Sequence, residues 1–104
     1  MEYSVIVSQS AHDDFSRCIE YLLHEKKSEQ AANNLLKDYE MTLGKLKIVG
    51  PSMKICDNNQ LAALGYRRYN FMRHNYFFMY RIIEDRIMVD RIFHGLQDYE
   101  NKMV

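Results

Sequence analysis

The stretch Tyr76-Phe77-Phe78-Met79-Tyr80-Arg81-Ile82-Ile83-Glu84-Asp85-Arg86-Ile87-Met88-Val89-Asp90-Arg91-Ile92-Phe93 decides the fold. Two apolar runs, rich in aromatic and β-branched residues, flank a short polar break at Glu84-Asp85. Runs of strand length joined so tightly form an antiparallel hairpin. The first run is the more apolar and belongs at the centre of a sheet. Alternation puts Tyr76, Phe78, Tyr80 and Ile82 on one face and Phe77, Met79, Arg81 and Ile83 on the other. In the second run, Arg91 falls with Ile87, Val89 and Phe93, while Asp90 and His94 lie opposite. Immediately upstream, Tyr66 to Met72 reads as a third strand. It places Tyr66, Arg68 and Asn70 on one face and Arg67, Tyr69 and Phe71 on the other. Arg73-His74-Asn75 is the turn between them, with Asn75 suited to a left-handed conformation. His94-Gly95 closes the meander, and Leu96 to Val104 is a short tail with room for a helical turn.

Before Gly65 the apolar period is helical. Ala11, Phe15, Cys18, Ile19, Leu22 and Leu23 share one helix face, and Ser10 with Asp13 resembles a capping box at its start. His24 to Lys27 breaks the pattern. Ser28 then caps a second helix, with Glu29 favourably placed in its first turn and Ala31, Ala32, Leu35, Leu36, Tyr39, Leu43 and Leu46 on its apolar side. So short a break makes the two helices an antiparallel hairpin. Gly50-Pro51 ends the helical region, and residues 47–64 read mostly as loop. Within it, Asp57-Asn58-Asn59 is a turn and Gln60 to Leu64 a single helical turn stopped by Gly65. Tyr3 to Ser8 is an opening strand. The order is β-α-α-β-β-β: an α+β fold in which a helical hairpin covers one face of a largely antiparallel sheet, as one domain over residues 1–104.

Composition narrows the function. The chain has 104 residues, 14 basic and 14 acidic, so its net charge is zero. With 47% hydrophobic and 12% aromatic residues it carries enough apolar side chain for its own core and is not disordered. No apolar run approaches the roughly 18 residues of a membrane span. Met1 to Ser10 lacks a basic start and leads into a helix signal, so it does not read as a secretory leader. Only two cysteines occur, Cys18 on an apolar helix face and Cys56 in a loop, which suits a reduced, cytoplasmic setting. Neutrality weighs against a nucleic-acid binder, because phosphate neutralisation supplies most of such affinity. The halves differ: residues 1–52 hold six basic and eight acidic side chains, residues 53–104 eight and six.

The common catalytic motifs are absent: no phosphate-cradling glycine loop, no CxxC, no HExxH, no GxSxG. His12, His24, His74 and His94 are scattered without metal-ligand spacing, so no metal or other cofactor is expected. The densest feature is residues 65–83, where Arg67, Arg68, Arg73 and Arg81 interleave with seven aromatics and no acid. Such interleaving suits stacking and phosphate contact. It equally suits a strand whose aromatics fill a core and whose arginines form a solvated rim. Met72, Met79 and Met88 make either core filler or an adaptable surface that takes a partner's strand or helix. Metal-free RNA cleavage needs a base, a cation and an acid, and His94, Tyr99 and Arg81 or Arg91 could supply those types.

Three segments together resemble the RelE/ParE superfamily of bacterial toxins from type II toxin–antitoxin modules. Leu61-Ala62-Ala63-Leu64-Gly65-Tyr66-Arg67 is similar to the entry into that family's second strand. Asn75-Tyr76-Phe77-Phe78-Met79-Tyr80-Arg81-Ile82 is similar to its central strand. Arg91-Ile92-Phe93-His94-Gly95-Leu96-Gln97-Asp98-Tyr99 resembles the ParE-like ending, a hydrophobic pair followed by His-Gly and Asp-aromatic. The opening strand and Ser10-Ala11-xx-Asp14 fit as well. The ribonuclease branch differs: its central-strand arginine falls on Phe77 here, and its late basic residues fall on Leu96, Gln97 and Tyr99.

The resemblance therefore implies a ParE-like toxin that inhibits DNA gyrase by protein binding, serves plasmid stabilisation and is neutralised by a cognate antitoxin. Its implied partner face comprises Arg67, Arg68, Arg81 and Arg91, with His94, Asp98 and Tyr99 at the sheet's end. The alternative it leaves open is a RelE-like, ribosome-dependent mRNA endoribonuclease using Arg81, Arg91, His94 and Tyr99. A third reading is a non-toxic, degenerate family member kept as an interaction module.

Overall fold

The computed structural model describes residues 2–103. Ser4–Val7 forms β1, Gln9–His24 α1 and Glu29–Val49 α2, with a tight 3-10 turn at Gly50–Ser52. Asn59–Ala63 forms α3, Arg67–Asn70 β2, Tyr76–Ile83 β3, Arg86–His94 β4 and Tyr99–Met103 α4. Met1 and Val104, the outer ends of the two terminal segments read from the sequence, lie outside the described residues. The strands make one sheet in the order β1-β4-β3-β2. β2, β3 and β4 are antiparallel neighbours, and β1 runs parallel to β4. The helical hairpin between β1 and the meander supplies the long crossover that parallel pairing requires.

The hairpin packs on one face of this sheet, as the helical periodicity predicts. Ala11, Phe15, Leu35, Tyr39 and Leu46 meet Phe71, Phe78, Tyr80, Ile87, Val89 and Ile92 in the main core. Phe15 and Tyr39 stack at 4.2 Å, and Phe71 meets Phe78 at 4.8 Å. The Tyr80 hydroxyl, fully buried, donates to the Gly50 carbonyl at 2.8 Å, so its burial leaves no polar group unpaired. Gly50 sits in a tight spot: a Cβ there would lie 3.1 Å from a Leu46 methyl and 3.2 Å from an Ile87 methyl, so both would have to give.

The opposite face is also covered. Leu61 of α3 joins Phe77, Met79 and Phe93 in a second, smaller core flanked by Cys56, Tyr66, Tyr99 and Met103. Phe77, Phe78, Met79 and Tyr80 are therefore all buried, because β3 is roofed on both sides. Met79 serves as core filler, whereas Met72 is exposed.

Five local expectations are corrected. The cap of α1 is Ser8, not Ser10: its Oγ accepts from Ala11 N at 3.1 Å. Ser8 N still donates to Val89 O at 2.9 Å, so the chain turns into the helix directly from its last strand contact. Asp13 is engaged by Gln9 Nε2 instead. Lys47–Val49 continue α2 rather than opening the loop, and the helix gives way only at Pro51, which has no N–H to continue it. β2 is shorter than residues 66–72. Tyr66 N closes α3 onto Leu61 O, and the amides of Met72 and Arg73 go to Thr42 Oγ1 and Asp38 Oδ2 instead of the ladder. Within the meander's turns the left-handed residue is Glu84 (φ 59°), not Asn75, which instead crowds Gly95 so closely that a side chain there would collide with it.

The fifth correction concerns facing. Met79 pairs with Arg91 but Tyr80 pairs with Val89, so Asp90 is an extra residue in β4. This bulge breaks the strict alternation along the strand. Ile87, Val89 and Ile92 face the hairpin, while Arg91 pairs with Met79 and sits beside Phe93 on the second face. Past β1, the free side of β4 is met by α1: Ser8 Oγ donates to Asp90 O, and Asp14 Oδ2 accepts from Ile92 N at 2.9 Å.

Candidate partner-binding face

The bulge gathers the polar groups of the second face. Asp90, the extra residue, accepts from the Tyr66 hydroxyl at 2.7 Å and from Arg81 Nε at 2.8 Å, both through Oδ2. The Arg81 guanidinium also lies over the Tyr66 ring at 5.2 Å. The hydrogen bond to Asp90 holds Arg81 more firmly protonated than usual, outweighing its partial burial. Burial, reinforced by the bond to Asp90, pushes the Tyr66 phenol up to about 12. Tyr66 is thus a neutral donor at physiological pH and Arg81 a fixed cation matched to one carboxylate.

Arg91 is matched in the same way. Its Nε and Nη2 form a fork on Asp14, at 2.8 Å and 3.0 Å, and this pairing strengthens its hold on the proton. Arg17 Nη2 joins Asp14 Oδ1 at 2.7 Å. Arg67 is turned inward: Nη1 donates to the carbonyls of Pro51 and Met53 at 2.8 and 2.6 Å and ties β2 to the turn after α2. Arg68 differs from Arg81 and Arg91 in its partners and from Arg67 in pointing outward. It has no carboxylate partner among the described residues; its Nε donates to Asn70 and its guanidinium lies 3.7 Å over Phe77 and 5.5 Å from the Tyr99 ring centre. Tyr99 in turn meets Phe77 edge-on at 5.1 Å. The result is a half-exposed cation on an aromatic floor, an arrangement suited to contact with a partner.

His94 and Tyr99 occupy opposite faces. The His94 ring stands edge-on to Tyr76, which packs on the hairpin side, at 5.0 Å. Tyr99 lies on Phe77 and Phe93 in the second core. The His94 Nδ1 accepts from Leu96 N at 3.1 Å, which leaves the proton of the neutral ring on Nε2. Asp98 accepts from Asn101 at the start of α4. Of the residues singled out from sequence, the structure brings Arg68, Arg81 and Tyr99 to one face. Arg91, His94 and Asp98 lie around the end of the sheet, and Arg67 is set apart.

Sequence reasoning missed Asp14, Asp90 and Tyr66 as partners of these arginines. A signal existed for Asp14. It lies three residues after Ala11 and four before Cys18, so a carboxylate sits on an apolar helix face and demands a partner. Asp38 gives the same signal between Leu35 and Thr42, and it receives Thr42 Oγ1, Arg73 N and His74 Nδ1. Among the described residues, no group of three or more His, Cys, Asp or Glu is placed to share a metal ion, and no helix is long and apolar enough to cross a membrane.

Residues 5–99 match the family model described as the ParE toxin of the type II toxin–antitoxin system, parDE. A solved chain from a chromosomal ParDE toxin–antitoxin system of P. aeruginosa superposes with a TM-score of 0.71 at 16% identity, covering 89% of this chain and 96% of that one. A chain of the RelBE2 toxin–antitoxin complex of Mycobacterium tuberculosis gives a TM-score of 0.56 at 18% identity, over 90% of this chain and 99% of that one. No curated protein matches in sequence.

Proposed function

This chain belongs to the ParE toxin family of type II toxin–antitoxin systems, and from that premise we propose that it acts by gripping protein rather than by cutting RNA. Its target in this reading is DNA gyrase, and a cognate antitoxin neutralises it, as the ParDE and RelBE2 assemblies pair toxin with antitoxin. The observation that carries the reading is the placement of His94 and Tyr99 on opposite faces of the sheet. A ribonuclease built on them would need both at one phosphate. Arg81 supports the same reading, since Asp90 already neutralises the charge that a scissile phosphate would require. The partner face is assigned to Arg68 on its Phe77–Tyr99 floor, continued by Arg81. Arg91, His94 and Asp98 frame its end, and Arg67 supports it from behind.

The test is direct. Purified chain added to gyrase is expected to block supercoiling of relaxed plasmid. Gyrase left fully active, together with mRNA cut on translating ribosomes, returns the ribonuclease reading. Induction without antitoxin is expected to stop growth, and normal growth would favour the interaction-module reading.

A further inference from the structure

A cleft of about 310 Å³ lies between α1 and the end of β4, apart from the Arg68–Tyr99 platform. Arg17, Arg91, Lys102 and His94 line it, with Tyr21 and Tyr76 as aromatic walls. Its one acid is Asp14, only 6% exposed. Asp14 has no capacity left for further cations. Oδ2 accepts from Arg91 Nε and Ile92 N, and Oδ1 from Arg91 Nη2 and Arg17 Nη2. Three permanent cations facing one saturated carboxylate leave two positive charges in excess.

The donors in the cleft are ready-made. Asp14 fixes the plane of Arg91 through its fork, leaving Nη1 unengaged. Arg17 is 67% exposed and has donors to spare, and Lys102 forms no ion pair among the described residues. The His94 Nδ1 is occupied by Leu96 N, so Nε2–H is the atom free to donate. An acceptor-only carboxylate suits what is left over: Arg91 Nη1, the spare Arg17 donors and the Lys102 ammonium. A nucleic-acid strand is poorly served, because a neutral chain offers no excess charge to neutralise its run of phosphates. The exposed Tyr21 ring instead suits an apolar residue next to the charged one.

We infer that this cleft is a carboxylate-binding subsite for an acidic peptide segment, one Asp or Glu side chain of which inserts between Arg17, Arg91 and Lys102 beside Tyr21. The assignment rests on the reading that the chain is neutralised by a protein partner, and names the chemistry of that contact.

The experiment titrates the full chain with a labelled Leu-Glu-Glu-Leu-Glu-Glu peptide, following anisotropy and backbone amide shifts. Expected are shifts at Arg17, Tyr21 and His94, and affinity about tenfold lower when every Glu of the peptide is Gln. Arg17→Ala or Lys102→Ala, both at exposed positions, is expected to weaken the Glu peptide about threefold to fivefold and leave the Gln peptide unchanged. Lys45→Ala on α2 should change neither. Equal affinity for both peptides, shifts confined to other surfaces, or no binding at millimolar peptide overturns the assignment. So does a ten-residue oligouridylate or inorganic phosphate that displaces the Glu peptide at lower concentration than the peptide itself binds, because the site would then prefer phosphate. The measurement needs neither toxicity nor gyrase, so its failure and failure of the gyrase reading are separately visible.

Discussion

The two faces of the sheet are built from the same residue types and used differently. On the hairpin side, two helices of 16 and 21 residues bury a continuous aromatic core. On the other side, two helices of five residues each cover Phe77, Met79 and Phe93 with Leu61 as their buried anchor, and polar networks take over at the bulge. Five-residue helices have too few turns to be stable alone and persist only through the side chains they dock. The hairpin face therefore carries the fold, while the second face rests on far fewer buried side chains.

Phe78 and Phe93 offer the sharpest way to break this comparison, because one residue type is buried on each face. Phe78→Ala is expected to cost about 4 kcal/mol in denaturant unfolding, and Phe93→Ala about 3 kcal/mol, since thin cover collapses more easily into the cavity. Hydrogen exchange should then show α4 opening locally in the Phe93 variant. Equal losses with no local opening would mean that the faces are not distinct.

The next effect tests the hairpin side by pH. Burial works to raise the Asp38 pKa, but hydrogen bonds from His74, Arg73 N and Thr42 outweigh it and hold the carboxyl below its ordinary value. The folded state thus binds the proton more weakly than the unfolded chain. Stability from Asp38 is complete above the unfolded pKa of about 4 and disappears as pH falls through the lower folded value. Asp38→Asn should cost about 2 kcal/mol at pH 7, with the difference from the parent chain shrinking below pH 4. A difference constant from pH 7 to pH 2.5 would contradict the assignment.

The smallest stability effect belongs to Arg68. Arg68→Ala removes two half-exposed cation–π contacts and should cost about 1 kcal/mol in unfolding, yet weaken gyrase inhibition about tenfold or more. Unchanged inhibition would move the partner contact off the second face.

The hairpin face was legible because its signals are local. Ala11, Phe15, Leu35 and Tyr39 repeat at helical spacing, and Phe78, Tyr80 and Ile82 alternate. The second face was less so. α3 coincides with the single turn read at residues 60–64, but nothing local says that Leu61 reaches Phe77 across the sheet. The bulge at Asp90 is a register event between strands, invisible to an alternation count, and it alone reverses the facing of Arg91 relative to Val89. The arginines of the site were visible as residue types. Their partners were not, since Arg91 and Asp14 lie 77 residues apart and only packing unites them.

Asp14 has one more consequence. β1 ends at Val7, while β4 continues to His94, so the last residues of β4 would present bare amides along a strand edge. Bare edges recruit other strands, and copies of one chain are the nearest supply. By taking the Ile92 amide with a charged side chain, Asp14 keeps that stretch from serving as a template for aggregation.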